Sequence, residues 1–385
     1  MEATWWTKPE QLDAEQRDVI ALPLAGNHLV LGPPGSGKTN LLLLRASYLQ
    51  ANGINNFQLL TVGRVLREFL ARGSETTKIS ANKIDTFVGW GSDVLDNCGV
   101  DFRVNAGYEE QKNIIVEKLT ALDDEQVDDH RLDAILLDEC QDYSVQEVNI
   151  AIRFSNRIFA AGDSRQRIYK NRGSIDRLRQ VCPAVNQLTY HYRNGIKICR
   201  VADGITGLVG SKDGLEATSQ YKELEAPSQV AFFEPESIQD QVSKAVSALQ
   251  AQLRAYPTGM LGVLCPLNKD VREVWSLLST THLRSEVQLQ MRDTGYDALD
   301  PDRRILVGSI HGAKGLEFRA LHLLAMEGIS SFPTNRTRLA YTGVTRAKTS
   351  LTIYRGGPLI GPLQNGEAAL APPPTSIDLK SLFNA

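Results

Sequence analysis

The stretch HLVLGPPGSGKTN, His28 to Asn40, reads in order as a short apolar run, a glycine-rich loop and the start of a helix. Its loop fits the pattern G-x-x-x-x-G-K-[ST], and the position between a strand and a helix is the context in which that pattern cradles phosphate. Gly32, Pro33, Pro34, Gly35, Ser36 and Gly37 supply a loop whose backbone N–H groups turn inward, and the helix that continues through Asn40 adds the positive end of its dipole. Lys38 brings a compact cation for the β and γ phosphates, and Thr39 a hydroxyl for Mg²⁺. The first expectation is therefore a nucleotide-binding site that also takes Mg²⁺, the nucleotide being ATP by the resemblance drawn below.

Working outward, ILLDECQD (Ile135–Asp142) is an apolar strand that ends in adjacent carboxylates, at the edge where open parallel sheets bind ligands. Asp138 suits the shell of a Mg²⁺ ion, and Glu139 suits a base that orients and deprotonates an attacking water. FQLLTV, DAILLD and NRIFAAGD read as further buried strands, and VGRVLREFLARG and QKNIIVEKLTAL as helices between them. That alternation indicates a parallel sheet covered on both faces. From about Leu188 the pattern restarts, with strands at QVAFFE, LGVLCP, RILVGSIHG, ALHLLAM and SLTIY and helices at SIQDQVSKAVSALQAQL, NKDVREVWSLLS and LAYTGVTRAK. The pattern divides the chain into two α/β units in tandem: residues 1–187 with a small insertion at about 88–132, and residues 188–357. Residues 358–385 form a Pro-rich tail, expected to be extended and to end in a short amphipathic segment.

The bulk numbers agree with two soluble domains. The 385 residues are 42% hydrophobic and 23% charged, and no apolar run approaches the ~18 residues of a membrane span. MEATWWTKPE lacks a basic stretch followed by an apolar one, so the expected location is cytoplasmic, with no membrane partner. Five cysteines without C-x-x-C spacing read as small buried hydrophobes in a reducing compartment. A net charge of −3 gives no global nucleic-acid signal, yet Arg153 to Arg179 carries eight Lys/Arg against two Asp. Such a local stripe suits a polyanion groove.

Seven segments then fall into one order: LDAEQRDVI, GPPGSGKT, DECQD, GDSRQRIY, LTYHYRN, SIHGAKGLEF and LAYTGVTRAK. Together, from Leu12 to Lys348, they resemble the UvrD/Rep family of superfamily 1 DNA helicases. The resemblance implies an α/β fold of two tandem RecA-like P-loop domains, with parallel sheets and the nucleotide cleft between them. It implies that Gln16 reads the adenine edge, Tyr192 stacks on the base, Gln166 contacts the γ-phosphate, and Gly315 and Glu317 lie near the nucleotide. Arg193 and Arg346, from the second unit, would be arginine fingers on the transferred phosphoryl group. Tyr169 would stack on nucleic acid beside Gln166, and Ser309 and His311 would be strand contacts. The partner implied is single-stranded or partly duplex DNA, with 3′-to-5′ movement from the KGLEF form of the late motif.

Two departures qualify the resemblance. Asn171 stands where many relatives have a base-stacking tryptophan, and Asn194 to Val307 is too short for the large accessory domain of bigger relatives. A chain so reduced suits either a motor that draws on a protein partner for loading or unwinding, or a DNA-stimulated ATPase in a regulatory or recruitment role. A small-molecule phosphotransferase is a third reading, disfavoured by the paired arginine motifs.

Overall fold

Strands buried on both faces need apolar residues at every position rather than at alternate ones, and AILL (Ala134–Leu137), IFAAG (Ile158–Gly162) and LGVLC (Leu261–Cys265) are buried throughout. The computed structural model of the protein describes residues 9–104, 107–163, 173–291, 299–300, 302–332 and 335–371. Within these, the strands are β1 (His28–Leu31), β2 (Phe57–Thr61), β3 (Ile84–Thr86), β4 (Ala134–Leu137), β5 (Ile158–Gly162), β6 (Val185–Gln187), β7 (Gln229–Phe233), β8 (Leu261–Cys265), β9 (Val287–Gln290), β10 (Ile305–Ser309), β11 (Phe318–Leu323) and β12 (Ala347–Tyr354). The helices of the first half are α1 (Ala14–Ile20), α2 (Lys38–Ala51), α3 (Arg64–Thr77), α4 (Phe87–Asn97), α5 (Tyr108–Ala121), α6 (Asp124–Asp129), α7 (Val145–Arg153) and α8 (Ser174–Val181). Those of the second are α9 (Ile196–Thr206), α10 (Ile238–Ala255), α11 (Asn268–Leu278), α12 (Arg336–Val344) and α13 (Gly361–Ala368).

The described strands make two parallel sheets, ordered β3-β2-β4-β5-β1-β6 and β7-β12-β11-β8-β10-β9. Two parallel α/β sheets in tandem are the arrangement expected from the sequence. Strand order within the first sheet decides which loops become neighbours. Strand β1, which feeds the P-loop, lies between β5 and β6, with β4 next to β5, so four neighbouring strands release their chains at one carboxyl edge. A single apolar core then joins the two sheets: Leu66 and Leu70 of α3 belong to the same cluster as Leu306, Ile310, Ala313 and Leu316. Gly315 is part of that seam, because a Cβ placed on it would come within 2.6 Å of the Leu66 side chain.

Three strands were not anticipated from the sequence: β3, β6 and β9, which read IDT, VNQ and VQLQ. They are short and carry polar residues, and they pair with a longer neighbour rather than standing on their own pattern. The C-terminal segment also differs from the expected extended linker. GPLQNGEA folds as α13, started by Pro362 in its first turn, and lies against α9. The contact is close because glycines meet there: a Cβ on Gly204 would fall 2.6 Å from the Asn365 carbonyl oxygen and 2.7 Å from the Gly366 Cα. Residues beyond 371, including the expected amphipathic segment, lie outside the described residues. The cysteines are free thiols, four of them buried and Cys98 half-buried. Among the described residues no helix is long and apolar enough to cross a membrane.

The second sheet contains a buried polar chain. His322 is fully enclosed, with Nδ1 3.0 Å from the Tyr354 hydroxyl and Nε2 2.9 Å from Gln252 Oε1. Burial holds the imidazole neutral and pushes its pKa down to about 4. In the unfolded chain the same group takes up a proton near pH 6.5, so the unfolded state binds more protons below that pH and stability falls with acidification. The expected loss is about 3 kcal/mol between pH 6.5 and 4. Thermal melts of the wild type and His322→Gln at pH 7 and pH 5 check this. The wild type should lose Tm on acidification more steeply than the variant, because glutamine has no proton to take up.

Candidate nucleotide site between the two sheets

Gly35 and Gly37 adopt φ values of +79° and +83°, conformations that glycine enters without strain. They bend the loop so that Lys38 reaches back over it. Lys38 Nζ donates to the carbonyls of Gly32 (2.9 Å) and Pro33 (2.8 Å) and lies 3.4 Å from Ser36 Oγ, which itself donates to the Pro33 carbonyl. Burial lowers the pKa of this ammonium, against the pull of Asp163 and Glu139. Pro34 closes the loop beside Gly35, and Asn40 is buried one turn into α2.

Next to the loop, Thr39 Oγ1 donates to Asp138 Oδ2 at 3.0 Å. Asp138 is buried, and that burial, with Glu139 alongside, raises its pKa. Glu139 comes next in the left-handed region at φ +48°, a strain of roughly 1–3 kcal/mol for a residue with a Cβ. Its Oε2 accepts from Gln141 Nε2 at 2.6 Å, and Gln141 Oε1 accepts the Asp163 N–H at 2.9 Å, so one amide ties the ends of β4 and β5 together. Burial would raise the Glu139 pKa, but Lys314, Arg346 and Lys38 outweigh it and hold the carboxylate charged. Two of those three cations come from the second half of the chain.

The second sheet meets this edge with the amino ends of β11 and β12. Glu317 precedes β11 and Arg346 precedes β12, and Phe318 N–H donates to the Arg346 carbonyl at 2.9 Å. Arg346 is 1% exposed, and burial, then Arg193, brings its pKa down to about 10. Its Nε and Nη1 donate to the carbonyls of Thr342 and Leu316, both at 3.3 Å. Arg193 pairs with Glu317, whose other oxygen lies 3.5 Å from Lys348 Nζ. Lys314 pairs with Asp142 across the seam, with the carboxylate side chain fully covered.

The chain between the sheets runs along the P-loop. Leu188 N–H donates to the Leu31 carbonyl (2.8 Å) and Tyr192 N–H to the Gly35 carbonyl (3.1 Å). Tyr192 is 39% exposed, and its hydroxyl donates to Asp13. Gln16, on α1, is buried, and its Nε2 donates to the Ser36 carbonyl at 3.0 Å.

The structure thus gathers Gln16, the loop from Gly32 to Asn40, Asp138, Glu139, Tyr192, Arg193, Glu317 and Arg346 around one cleft. Gly315 contributes to the packing seam rather than lying open to it. Ser309 and His311 are tied into local packing: Ser309 Oγ accepts the Gly312 N–H at 3.0 Å, and His311 stacks on Phe332 with ring centroids 5.0 Å apart. Gln166, Tyr169 and Asn171 lie outside the described residues. Gln141, Asp142, Asp163 and Lys314 were not singled out from the sequence, although each sits inside one of its motifs. A groove of about 520 Å³ between α5 and α7, lined by Lys112 and Glu147 among others, shares none of these residues.

A model described as the UvrD-like helicase C-terminal domain matches residues 304–354, on the second sheet, and one described as an AAA domain matches residues 16–172, on the first. Among solved structures, the chain is similar to the PRRSV helicase at 15% identity, with a TM-score of 0.42, covering 88% of this chain and 54% of that one. This chain spans about half the length of that helicase. No curated protein matches.

Gly35 offers a direct check on the cleft. A Cβ at this position would fall 2.4 Å from the Arg193 Cβ and would also sit on a backbone at φ +79°. Gly35→Ala should drive the arginine off the loop and lower nucleoside triphosphate turnover by about 10³-fold, the scale on which arginines act on a transferred phosphoryl group in nucleotide hydrolases generally. Gly53→Ala is the control: it has φ +82° but nothing within 4 Å, so it should cost stability and leave turnover intact.

Proposed function

We propose that this chain, which matches the UvrD-like helicase C-terminal domain over residues 304–354 and an AAA domain over residues 16–172, is a member of the UvrD/Rep-like superfamily 1 helicase family and an ATP- and Mg²⁺-dependent motor that moves 3′ to 5′ along single-stranded DNA. Membership already implies an enzyme that hydrolyses nucleoside triphosphates and binds nucleic acid. The observation that supports a nucleotide-driven cycle is the convergence of charge across the cleft: Lys314 pairs with Asp142 across the seam, and Lys314 and Arg346 from the second half act on Glu139 of the first; the track and its direction rest on the motif resemblance.

Each residue's role comes from its chemistry. Lys38, held now by two loop carbonyls, would exchange them for the β and γ phosphates, while the loop N–H groups and the start of α2 take the remaining phosphate oxygens. Thr39 and Asp138 present a hydroxyl and a carboxylate 3.0 Å apart, a hard-oxygen pair that fits Mg²⁺. Bound there with ATP, the ion would neutralise phosphate charge. Glu139, kept ionised by the surrounding cations, would take the proton of the attacking water, with Gln141 fixing the carboxylate's orientation. Arg193 and Arg346 would meet the charge that builds on the transferred phosphoryl group. Because the fingers and the base belong to different halves, an intact triphosphate favours closure and its hydrolysis removes that attraction. DNA lying across both halves would be moved by the cycle, with Tyr169 as its stacking contact and Gln166 as the link to the γ-phosphate.

A second reading, a DNA-stimulated ATPase that regulates or recruits without unwinding, is favoured by one feature. The span from Asn194 to Arg304 is taken up by α9 through β9, elements that pack within or against the second sheet. Among its described residues it holds no further globular unit.

Turnover measured with and without single-stranded DNA tests the motor: strong stimulation is expected in the wild type and none in Lys38→Ala, while Tyr169→Ala should keep basal turnover and lose much of the stimulation. ATP turnover indifferent to DNA would overturn the reading. Polarity and unwinding are read from strand displacement on duplexes with a 3′ or a 5′ single-stranded tail. Displacement from the 3′ tail supports the proposed direction, preference for the 5′ tail reverses it, and stimulated turnover with displacement from neither supports the second reading.

A further inference from the structure

Helix α1 is short, and each of its ends is held by a different part of the chain. At the C-terminal end Arg45 of α2, 1% exposed, donates from Nη1 to the carbonyls of Ile20 (2.7 Å) and Leu22 (2.5 Å) and from Nη2 to that of Pro23 (2.6 Å). Its guanidinium carbon lies 5.3 Å from the ring centroids of both Tyr48 and Phe159. A planar cation on the carbonyls that end a helix is favoured by hydrogen bonding and by the dipole together. Helix α1 is therefore anchored to the helix that leaves the P-loop.

At the N-terminal end, Asp13 makes three different contacts. Its Oδ1 accepts the Gln16 N–H at 2.8 Å and its own N–H donates to Gln16 Oε1 at 3.2 Å, a reciprocal cap. Its Oδ2 accepts the hydroxyl of Tyr192, which lies 179 residues further along the chain. Two residues on, Glu15 Oε2 accepts the Thr189 N–H at 2.8 Å, so the same helix grips the same segment twice. Capping alone asks for nothing beyond one oxygen at position 13. The bond to Tyr192 is a second use of the carboxylate that no helix requires.

That second use bears on the base. The Gln16 amide has two donor hydrogens and two acceptor positions. One donor goes to the Ser36 carbonyl and one acceptor position takes the Asp13 N–H. The remaining donor and acceptor match the N7 and N6 amino group of adenine; guanine presents acceptors at both N7 and O6. For one base to meet that amide at its edge and the Tyr192 ring on its face, the two side chains must keep a fixed separation, and Asp13 is bonded to both.

We propose that Asp13 is a positioning residue that sets selectivity for the adenine base, by bonding the Tyr192 hydroxyl with one oxygen while the other fixes the turn that carries Gln16. The inference rests on the reading of Gln16 and Tyr192 as base contacts. It is tested on the full chain by steady-state kcat and KM for ATP and for GTP. Asp13→Ser keeps a capping oxygen and loses reach to the phenol. Asp13→Asn keeps the cap and donates its amide to the phenol oxygen, and Tyr192→Phe keeps the ring alone. Asp13→Ser and Tyr192→Phe should each raise KM for ATP more than they lower kcat, and each should reduce the preference for ATP over GTP about tenfold, the worth of a hydrogen bond to a charged group. Combining Asp13→Ser with Tyr192→Phe should be no worse than either alone, and Asp13→Asn should stay close to the wild type. An unchanged ATP-to-GTP ratio in Asp13→Ser, or effects that simply add in the double variant, overturns the inference. Gln16→Ala tells the two levels apart: if it leaves the ratio intact, the base-site reading fails and takes this inference with it. If Gln16→Ala lowers the ratio while the other two do not, Asp13 alone loses its role. Should Asp13→Ser fail to fold, Tyr192→Phe, which leaves the cap untouched, decides on its own.

Discussion

A carboxylate buried beside a second carboxylate keeps its charge only where cations reach it, and at Glu139 those cations are Lys314, Arg346 and Lys38. Lys38 is local, but the other two arrive from a part of the chain that begins well beyond the first sheet and folds as a separate one. The left-handed backbone at Glu139 adds a strain that the surroundings have to hold. Both conditions are met when the amino ends of β11 and β12 lie against the carboxyl ends of β4, β5 and β1. The relation between the sheets is thus part of the chemistry of a single residue, and a shift of one sheet alters the charge balance of the other.

The same dependence runs through the packing. The seam between the sheets is apolar where Leu66 meets Gly315 and ionic where Lys314 meets Asp142. A buried ion pair contributes little net stability once both ions are desolvated, whereas losing one partner leaves the other stranded. Lys314 and Asp142 accordingly specify how the halves fit more than how tightly they hold. Leu66 and the cluster around it supply the attraction, and the charges fix the register in which it acts.

What was legible in the sequence divides along the same line. The P-loop, the carboxylate pair after β4 and the tandem strand pattern were readable because each depends on neighbours a few residues away: glycines where the backbone bends, an apolar run that ends in acids. Strand β6, read as VNQ, was not, because its pairing with β1 decides it and its own residues do not. Helix α13 was hidden behind a Pro- and Gly-rich composition, and the glycine contact with α9 that holds it has no local signature. Lys314 stood in plain view within the SIHGAKGLEF motif, yet its partner Asp142 is 172 residues away. His311 stacks on Phe332, a contact that spacing alone does not reveal.

Around Arg346 the electrostatics take a form that favours a polyanion. Burial and the neighbouring Arg193 both disfavour the charge on Arg346, and Lys348 adds a third cation beside the one carboxylate of Glu317. Like charges held together in a dry cleft raise the energy of the cleft itself. Glu317 offsets part of that cost, since its carboxylate is held ionised against burial by Arg193, Lys348 and Arg346 in turn. Glu139 and Asp163 of the first half also favour the charge on Arg346, so this one guanidinium is balanced by carboxylates from both sheets and its charge depends on how closely they meet.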